Sequence, residues 1–167
     1  MSIERNMGSV SLKANRFLGM QLVDRGLITL QQLESANARY LERRRDKTQA
    51  RLSLLKILCF EEQSLSEDAL LSYQLDSFDI GALNLPAYKI DPAYMSEFSV
   101  QEMLATWTVP AESVCGVPFL STAYYLSPFV REYWEERVGS DIVWNLSPLS
   151  DLELLFEQLE SSVKEGA

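Results

Sequence analysis

Apolar side chains recur every three or four residues between Arg16 and Tyr40, which is the spacing of one face of an α-helix. Gly26 interrupts this segment, and glycine is the usual residue in the left-handed conformation that ends a helix. The pattern therefore predicts a helix from Leu18 to Arg25, a turn at Gly26 and a second helix that runs towards Tyr40.

The start of the second helix carries a capping pattern. Thr29 can accept a hydrogen bond from a backbone N–H of the first turn, and Gln32 stands three residues later, where a capping box has an amide or an acid. Ile28 and Leu33 flank this cap as a hydrophobic staple, which fixes the angle at which the chain enters the helix. We therefore expect a tight αα-hairpin.

A second segment repeats this arrangement. An apolar helix from Leu54 to Glu62 is followed by a turn near Gln63 and a helix that begins at Ser66. Three apolar residues lie 37 positions after their counterparts Leu18, Ile28 and Leu33, namely Leu55, Leu65 and Leu70. This offset predicts a degenerate internal duplication, in which two hairpins form a helical lobe over residues 13–76, after a flexible tail at residues 1–12.

Residues 77–167 combine helical and strand patterns. Helix starts are predicted at four capping positions, which are Asp91-Pro92, Ser99, Ser127-Pro128 and Ser150, the last with Glu153 in a capping box. Alternating segments predict three strands, at residues 107–114, 117–125 and 141–145, the first two joined by a turn at Cys115-Gly116. The expected fold class is α+β, with an N-terminal helical hairpin bundle followed by helices packed on a small, mostly antiparallel sheet.

The first hairpin resembles one protein family. The residues that carry the resemblance are Leu18, Gly19, Leu22, Gly26, Ile28 and Leu33. They are similar to the hairpin in the N-terminal domain of the bacterial ATPases of type II secretion and type IV pilus assembly (the GspE-type N-terminal, or MshEN-like, domain). The resemblance implies a domain that docks to a protein partner, an inner-membrane platform component or the ATPase.

In one branch of this family the hairpin pattern occurs twice and binds cyclic di-GMP. The candidate ligand residues that this implies here are Arg16, Leu18, Gly19, Leu22, Gly26, Arg44, Arg45 and Arg51. The arginines would hold the phosphates, with Leu18 and Leu22 against the bases. This chain departs from the pattern, because its leading arginine position is Phe17 and the two glycine positions of the second copy are Lys56 and Gln63. The apolar framework is thus kept while most polar ligand contacts are replaced.

The net charge of −9 limits the choice of partners. Residues 1–80 are neutral, with 11 basic and 11 acidic side chains, whereas residues 81–167 hold 4 basic and 13 acidic ones. We expect no nucleic-acid binding, because phosphate affinity depends on clustered cations. The one basic cluster, from Arg39 to Lys56, is interpreted as a solvated helix end and connector, with an anionic ligand or a lipid headgroup as the alternative.

The sequence offers little for catalysis. It contains no histidine and no phosphate-binding G-x-x-x-x-G-K-[ST] motif, and adjacent carboxylates such as Glu61 and Glu62 are expected to diverge into solvent. Cys59 and Cys115 are expected to be buried, unpaired thiols, and no metal site is expected. No apolar run is long enough for a membrane span, so that a cytoplasmic location is expected.

Three functions remain open at this point. The favoured hypothesis is a non-enzymatic interaction or regulatory module that docks to a protein partner of a secretion or pilus-type system and has no bound cofactor. The alternative is a divergent cyclic di-GMP receptor. An unrecognised enzyme, or a scaffold without a small ligand, accounts for the remaining possibilities.

Overall fold

The N-terminal part of the chain is helical in the computed structural model, which describes residues 6–46 and 51–165. Its helices are α1 (Met7–Asp24), α2 (Leu30–Arg45), α3 (Leu54–Lys56), a π-helical turn (Ile57–Glu61) and α4 (Glu67–Ser77). The predicted paired hairpins are therefore present as helix–turn–helix units.

Helix α1 begins earlier than the pattern indicated. Asn6 accepts a hydrogen bond from Gly8 N through its side chain at 3.0 Å and so caps the helix. Residues 7–12, expected to belong to a flexible tail, form the first turns of α1, and Val10 is buried in the core. The other apolar side chains of this segment, Met7 and Leu12, are only partly buried. A segment with so few core residues gives a weak helical pattern in the sequence.

The predicted cap of α2 is confirmed. Thr29 Oγ1 accepts from Gln32 N at 3.1 Å, and Gln32 Oε1 accepts from Thr29 N at 2.9 Å, which is a complete capping box. Ile28 and Leu33 are both buried, as expected of a hydrophobic staple. Gly26 has φ +73°, so that the left-handed turn between the helices is formed by the residue that tolerates it best.

The two hairpin turns share a hydrogen-bond pattern but differ by one residue. Leu22 O accepts from Leu27 N at 2.9 Å, and Leu58 O accepts from Ser64 N, also at 2.9 Å. Ser64 lies 37 positions after Leu27, whereas Leu58 lies 36 positions after Leu22. The extra residue of the second hairpin is taken up by the π-helical turn, where Glu62 N binds the carbonyl five residues earlier.

This insertion corrects the predicted register of the repeat. Before the π-helical turn the offset is 36 residues, so the counterpart of Leu18 is Leu54 rather than Leu55. Leu54 and Leu58 stand four residues apart and are fully buried, as are Leu18 and Leu22. A constant offset failed because sequence spacing does not reveal where a helix accommodates an extra residue.

The C-terminal part contains a four-stranded sheet. Its strands are β1 (Gly81–Ala82), β2 (Thr108–Val114), β3 (Val117–Thr122) and β4 (Val143–Leu146). The order is β1-β4-β3-β2, with β2 and β3 antiparallel and the pairs β3–β4 and β4–β1 parallel. The fold class is confirmed, but the sheet is mixed where a mostly antiparallel one was expected, because β1 was missed and β4 follows β3 through a crossover helix.

The remaining helices surround this sheet. They are a 3₁₀ turn (Leu85–Ala87), α5 (Pro92–Met95), α6 (Val100–Thr106), α7 (Pro128–Val138) and α8 (Leu149–Glu165). The predicted starts after Asp91, Ser99 and Ser127 are confirmed. Cys115 and Gly116 both have positive φ and form the predicted hairpin turn.

The predicted start of α8 is wrong. The helix begins at Leu149, so Ser150 lies inside it and does not form a capping box with Glu153. Instead Ser150 N donates to the Glu67 carboxylate at 2.9 Å, and Glu153 forms an ion pair with Lys56. A carboxylate at a helix N-terminus satisfies free N–H groups and the helix dipole, here from another part of the chain.

Both parts of the chain contribute to one hydrophobic core. Helix α1 places Leu18 and Leu22 in the same cluster as Trp107, Tyr124 and Phe156 from the C-terminal part. The division at residues 76 and 77 stays a prediction, although the two segments share this core.

Candidate functional site

Three residues of the predicted ligand site lie inside the protein. Leu18 and Leu22 have no exposed surface, and both pack in the core. A Cβ atom on Gly19 would lie 2.6 Å from Leu33 Cδ1 and 3.0 Å from Leu54 Cδ2, so this glycine allows helix α1 to approach α2 and α3 closely. In this conformation these positions serve packing, and a ligand would not contact the two leucine side chains.

Gly26, by contrast, is exposed at the turn between α1 and α2. A Cβ atom there would meet no heavy atom within 4 Å, and only its φ of +73° favours glycine. The turn therefore leaves the backbone of Gly26 open to solvent.

The four predicted arginines do not form one cluster. Arg16 lies on the exposed face of α1 and makes no ion pair with any described residue. Arg44 and Arg45 lie in the last turn of α2. Arg51 forms an ion pair with α8, in which its Nη1 lies 3.5 Å from Glu157 Oε1. Consecutive residues of a helix do not face the same side, so Arg44 and Arg45 diverge, and Arg16 and Arg51 lie on other surfaces.

Other arginines of α2 are neutralised within the chain. Arg43 forms a close ion pair with Glu61, and Arg39 Nε lies 3.2 Å from Glu62 Oε1. Ser35 Oγ also donates to Glu62 Oε1, at 2.7 Å. Glu61 and Glu62 were expected to diverge into solvent, but the π-helical turn directs both of them towards α2. Part of the basic cluster is therefore a structural contact between the two hairpins.

A network of buried polar side chains lies between α1 and α2. The sequence patterns did not identify it. Asn15 Nδ2 donates to Ser11 O at 2.8 Å and lies 3.3 Å from the Tyr40 hydroxyl. Asn15 Oδ1 accepts from Leu54 N at 2.9 Å and from the Tyr124 hydroxyl at 2.5 Å. The network joins α1, α2, α3 and the loop after β3. The sequence did contain one signal of this network, because Asn15 is a polar residue within the apolar stripe of α1.

Tyr40 connects this network to the surface. Its side chain is 2% exposed, and burial raises its pKa, although hydrogen bonds from Ser11 and Asn15 and the charge of Arg44 act in the opposite direction. The phenol is therefore protonated at neutral pH and can donate as well as accept a hydrogen bond.

A groove opens above Tyr40, between α1, α2 and α6. Its volume is about 220 Å³, and the polar side chains that line it include Ser11, Tyr40, Arg43, Arg44 and Asp46. Its apolar wall consists of Met7, Leu52, Leu104 and Ala105. One of the predicted arginines, Arg44, therefore lies in a groove that also contains the hydroxyl groups of Ser11 and Tyr40 and an apolar wall.

The outer face of α1 presents apolar side chains to solvent. Phe17 is 37% exposed and Met20 46% exposed, and they stand three residues apart on the helix. The ring of Phe17 is stacked on Phe129 of α7, with centroids 6.4 Å apart and an interplanar angle of 9°. The position that the family pattern gives to arginine is thus part of an exposed apolar platform.

The surroundings shift the pKa of several titratable groups of the described residues. Burial raises the pKa of the Cys59 thiol to about 12, and Cys115, expected to be buried, is exposed at the hairpin turn. Burial alone would raise the pKa of Glu102, but hydrogen bonds from Ser99 N–H, Arg137 and Tyr133 lower it below its usual value. No group of three potential metal ligands occurs within residues 6–46 and 51–165.

The comparisons with known proteins bear on the fold. No family model and no curated protein matches the chain. Among solved structures, the chain is similar to a structure of MshE with cyclic di-GMP (cdg), with a TM-score of 0.53 and 17% sequence identity over 84% of this chain and 96% of that chain. Within the described residues, no helix is both long and apolar enough to cross a bilayer. The likeness is one of architecture, and this chain therefore has a fold like that of MshE.

Proposed function

We propose that this chain is a non-enzymatic interaction module of a secretion or pilus-type system, and that it docks a protein partner through the outer face of α1. The observation that carries the proposal is the apolar platform formed by the exposed Phe17 and Met20 and by the half-buried Phe129, on which the Phe17 ring is stacked. Adjacent apolar side chains on one helix face are a common feature of protein interfaces.

The replacement of ligand positions supports this function. In the second hairpin the counterparts of the pattern's leucine–glycine pair, shifted by the π-helical turn, are Leu54 and Leu55, and both are buried. The hairpins therefore keep a scaffold whose interior has been filled with apolar side chains. Such a scaffold holds the exposed face of α1 rigidly, which reduces the entropy lost on binding.

The test uses purified cytoplasmic domains of the inner-membrane platform proteins and of the ATPase from such a system. We expect one of them to bind the chain, and Met20→Ser and Phe17→Ser each to weaken binding about tenfold or more, as loss of a central apolar contact does. Leu30→Ser is the matched control, because Leu30 is 59% exposed on α2 and outside the platform. Absence of binding to every component, or equal weakening by all three variants, would contradict the proposal.

A second candidate function is that of a divergent cyclic di-GMP receptor, and the similarity to MshE with cyclic di-GMP favours it. Arg16, Arg44 and Arg45 are the exposed cations that such a ligand would engage. Calorimetry with cyclic di-GMP at tens of micromolar tests this function. Saturable heat that Arg44→Gln and Arg45→Gln reduce would favour the receptor, whereas no heat and no thermal shift would remove it.

The proposal includes the absence of catalysis. The sequence has no histidine, burial raises the pKa of the Cys59 thiol, and the Glu102 carboxylate is held by Tyr133 and Arg137, so we expect no nucleophile–base pair among the described residues. Turnover screens with phosphoesters and nucleotides are expected to remain blank, and a reproducible rate that follows the purified protein would overturn this part.

A further inference from the structure

The groove between α1, α2 and α6 has two rows of polar groups that face each other. Gly8 and Ser11 stand three residues apart on α1, and Tyr40 and Arg44 stand four residues apart on α2, so each pair lies on one face of its helix. Arg44 Nη2 reaches across to Gly8 O at 3.4 Å. This contact is long for a hydrogen bond, so the guanidinium retains most of its capacity to donate.

The floor of the groove holds a hydroxyl group that can donate to a ligand. Ser11 Oγ and the Tyr40 hydroxyl lie 3.3 Å apart, and one of the two can donate to the other. Asn15 Nδ2 donates towards both oxygens, which uses their acceptor positions and leaves their hydrogens available. When the buried Tyr40 donates to Ser11, the half-buried Ser11 hydroxyl is left to donate into the groove, to water or to an oxygen of a ligand.

The charges around the groove leave one guanidinium for a ligand. Arg43 is paired with Glu61, and Asp46, which also lines the groove, has a contact of its own. Arg44 has no carboxylate partner among the described residues. An anionic oxygen between Arg44 and the Ser11–Tyr40 pair would accept charge-assisted hydrogen bonds from both helices.

The size of the groove limits the ligand. A volume of about 220 Å³ is smaller than the range of roughly 300–1,000 Å³ that is typical for drug-sized ligands. The apolar wall of Leu52, Leu104 and Ala105 suits one aromatic ring or a short aliphatic chain, and a cyclic dinucleotide is too large to be enclosed.

We propose that this groove binds a small organic anion, a single phosphate or carboxylate group attached to one ring or a short aliphatic body, with Arg44, Ser11 and Tyr40 as its polar contacts. The ligand would tie α1 and α2 to α6, and so would stabilise the contact between the helical part and the C-terminal part of the chain.

The experiment titrates the full chain with phenyl phosphate up to millimolar concentrations and follows backbone amide signals by NMR. We expect saturable shifts centred on Ser11, Tyr40 and Leu104. Arg44→Gln should raise the Kd about tenfold, the loss expected for a charge-assisted hydrogen bond, and Ser11→Ala should raise it by a smaller factor. Benzyl alcohol, which lacks the anion, should bind more weakly than phenyl phosphate.

Two matched variants decide the outcome. Arg45 is adjacent to Arg44 but does not line the groove, and Ser9 lies on α1 outside it. Arg45→Gln and Ser9→Ala should leave the Kd unchanged. The proposal is overturned if no saturable shifts appear, if they lie elsewhere, or if Arg44→Gln and Arg45→Gln weaken binding equally, since the last result indicates general attraction to a basic helix end. Because neither a protein partner nor cyclic di-GMP is used, this result is independent of the proposed function.

Discussion

Tyr124 donates its hydroxyl hydrogen to Oδ1 of Asn15 at 2.5 Å, across 109 positions of sequence. Asn15 lies on α1 and Tyr124 in the loop after β3, and both side chains are buried. The same Asn15 oxygen accepts from Leu54 N, so one amide side chain joins both hairpins to the C-terminal part. A buried network of this kind is stabilising only when all its members are paired.

Asn15→Ala is expected to destabilise the protein by about 2–4 kcal/mol, because Leu54 N–H and the Tyr124 hydroxyl would each lose a buried acceptor. Urea unfolding followed by circular dichroism measures the change. Asn84→Ala is the control, since Asn84 is exposed and makes no cap hydrogen bond. Equal stability of the two variants would show that the network contributes little.

Gly19→Ala is expected to lower stability by about 1–3 kcal/mol, because the added methyl group overlaps Leu33 and Leu54. Gly81→Ala should be close to neutral, since its Cβ would lie 3.6 Å from the nearest atom, Asn145 Oδ1. Thermal unfolding of both variants measures the difference. A neutral Gly19→Ala would contradict the close packing of α1 against Leu33 and Leu54.

Gly26→Ala should cost about 1–2 kcal/mol for a different reason, which is the left-handed backbone. Asparagine tolerates this conformation better than alanine, so Gly26→Asn should recover part of the loss. If the two variants are equally destabilised, an effect other than φ must be responsible.

Glu102 is expected to make the stability depend on acid pH. Its pKa is lowered in the folded protein, so its contribution is present above the unfolded value of 4.5 and is lost as the pH falls through the lower folded value. Glu102→Gln should reduce stability by about 1–3 kcal/mol at neutral pH. The difference from the unmodified protein should narrow below pH 4.5, as measured by urea unfolding across the acid range. A difference that is constant with pH would exclude the carboxylate as its source.

The two thiols are expected to react at different rates. Cys115 is exposed, whereas Cys59 is buried and its pKa is raised to about 12. A disulfide reagent should therefore label Cys115 rapidly at mildly alkaline pH and Cys59 slowly. Cys115→Ser should abolish the rapid phase and Cys59→Ala should leave it intact. A rapid phase that survives Cys115→Ser would show that the core around Cys59 opens readily.

Cys59 also affects stability at alkaline pH. Because its folded pKa lies above the unfolded value of 9.0, its contribution is present below pH 9.0 and is lost as the pH rises towards about 12. Cys59→Ala should therefore show a shallower fall in stability over this range, measured by urea unfolding. An unchanged slope would assign the alkaline loss to the buried tyrosines instead.

Local signals in the sequence predicted most of the elements. The capping box of Thr29 and Gln32, the left-handed Gly26 and the Cys115-Gly116 turn depend on neighbouring residues, and each was confirmed. The helical starts at Asp91 and Ser99 were predictable for the same reason. The start of α8 was not, because its N-terminus is completed by Glu67 from a distant helix.

The candidate site was only partly accessible to sequence reasoning. Arg44 was named from its place in a basic segment, but its meeting with Ser11 and Tyr40 depends on how α1 crosses α2. Leu18 and Leu22 were assigned to a ligand by resemblance, whereas their complete burial assigns them to the core in this conformation.

The sequence by itself determined the turns at Gly26 and Cys115-Gly116 and the capped helix starts after Thr29, Asp91 and Ser99, because caps, glycines and apolar spacing act over a few residues. Tertiary structure alone decided the Asn15 network, the parallel pairing of β4 and the groove at Arg44, because each depends on groups that are distant in sequence and meet only when the core closes. Tertiary structure also decided the π-helical turn. The chain carries one extra residue after Leu54, and packing against α2 decides where that residue is accommodated.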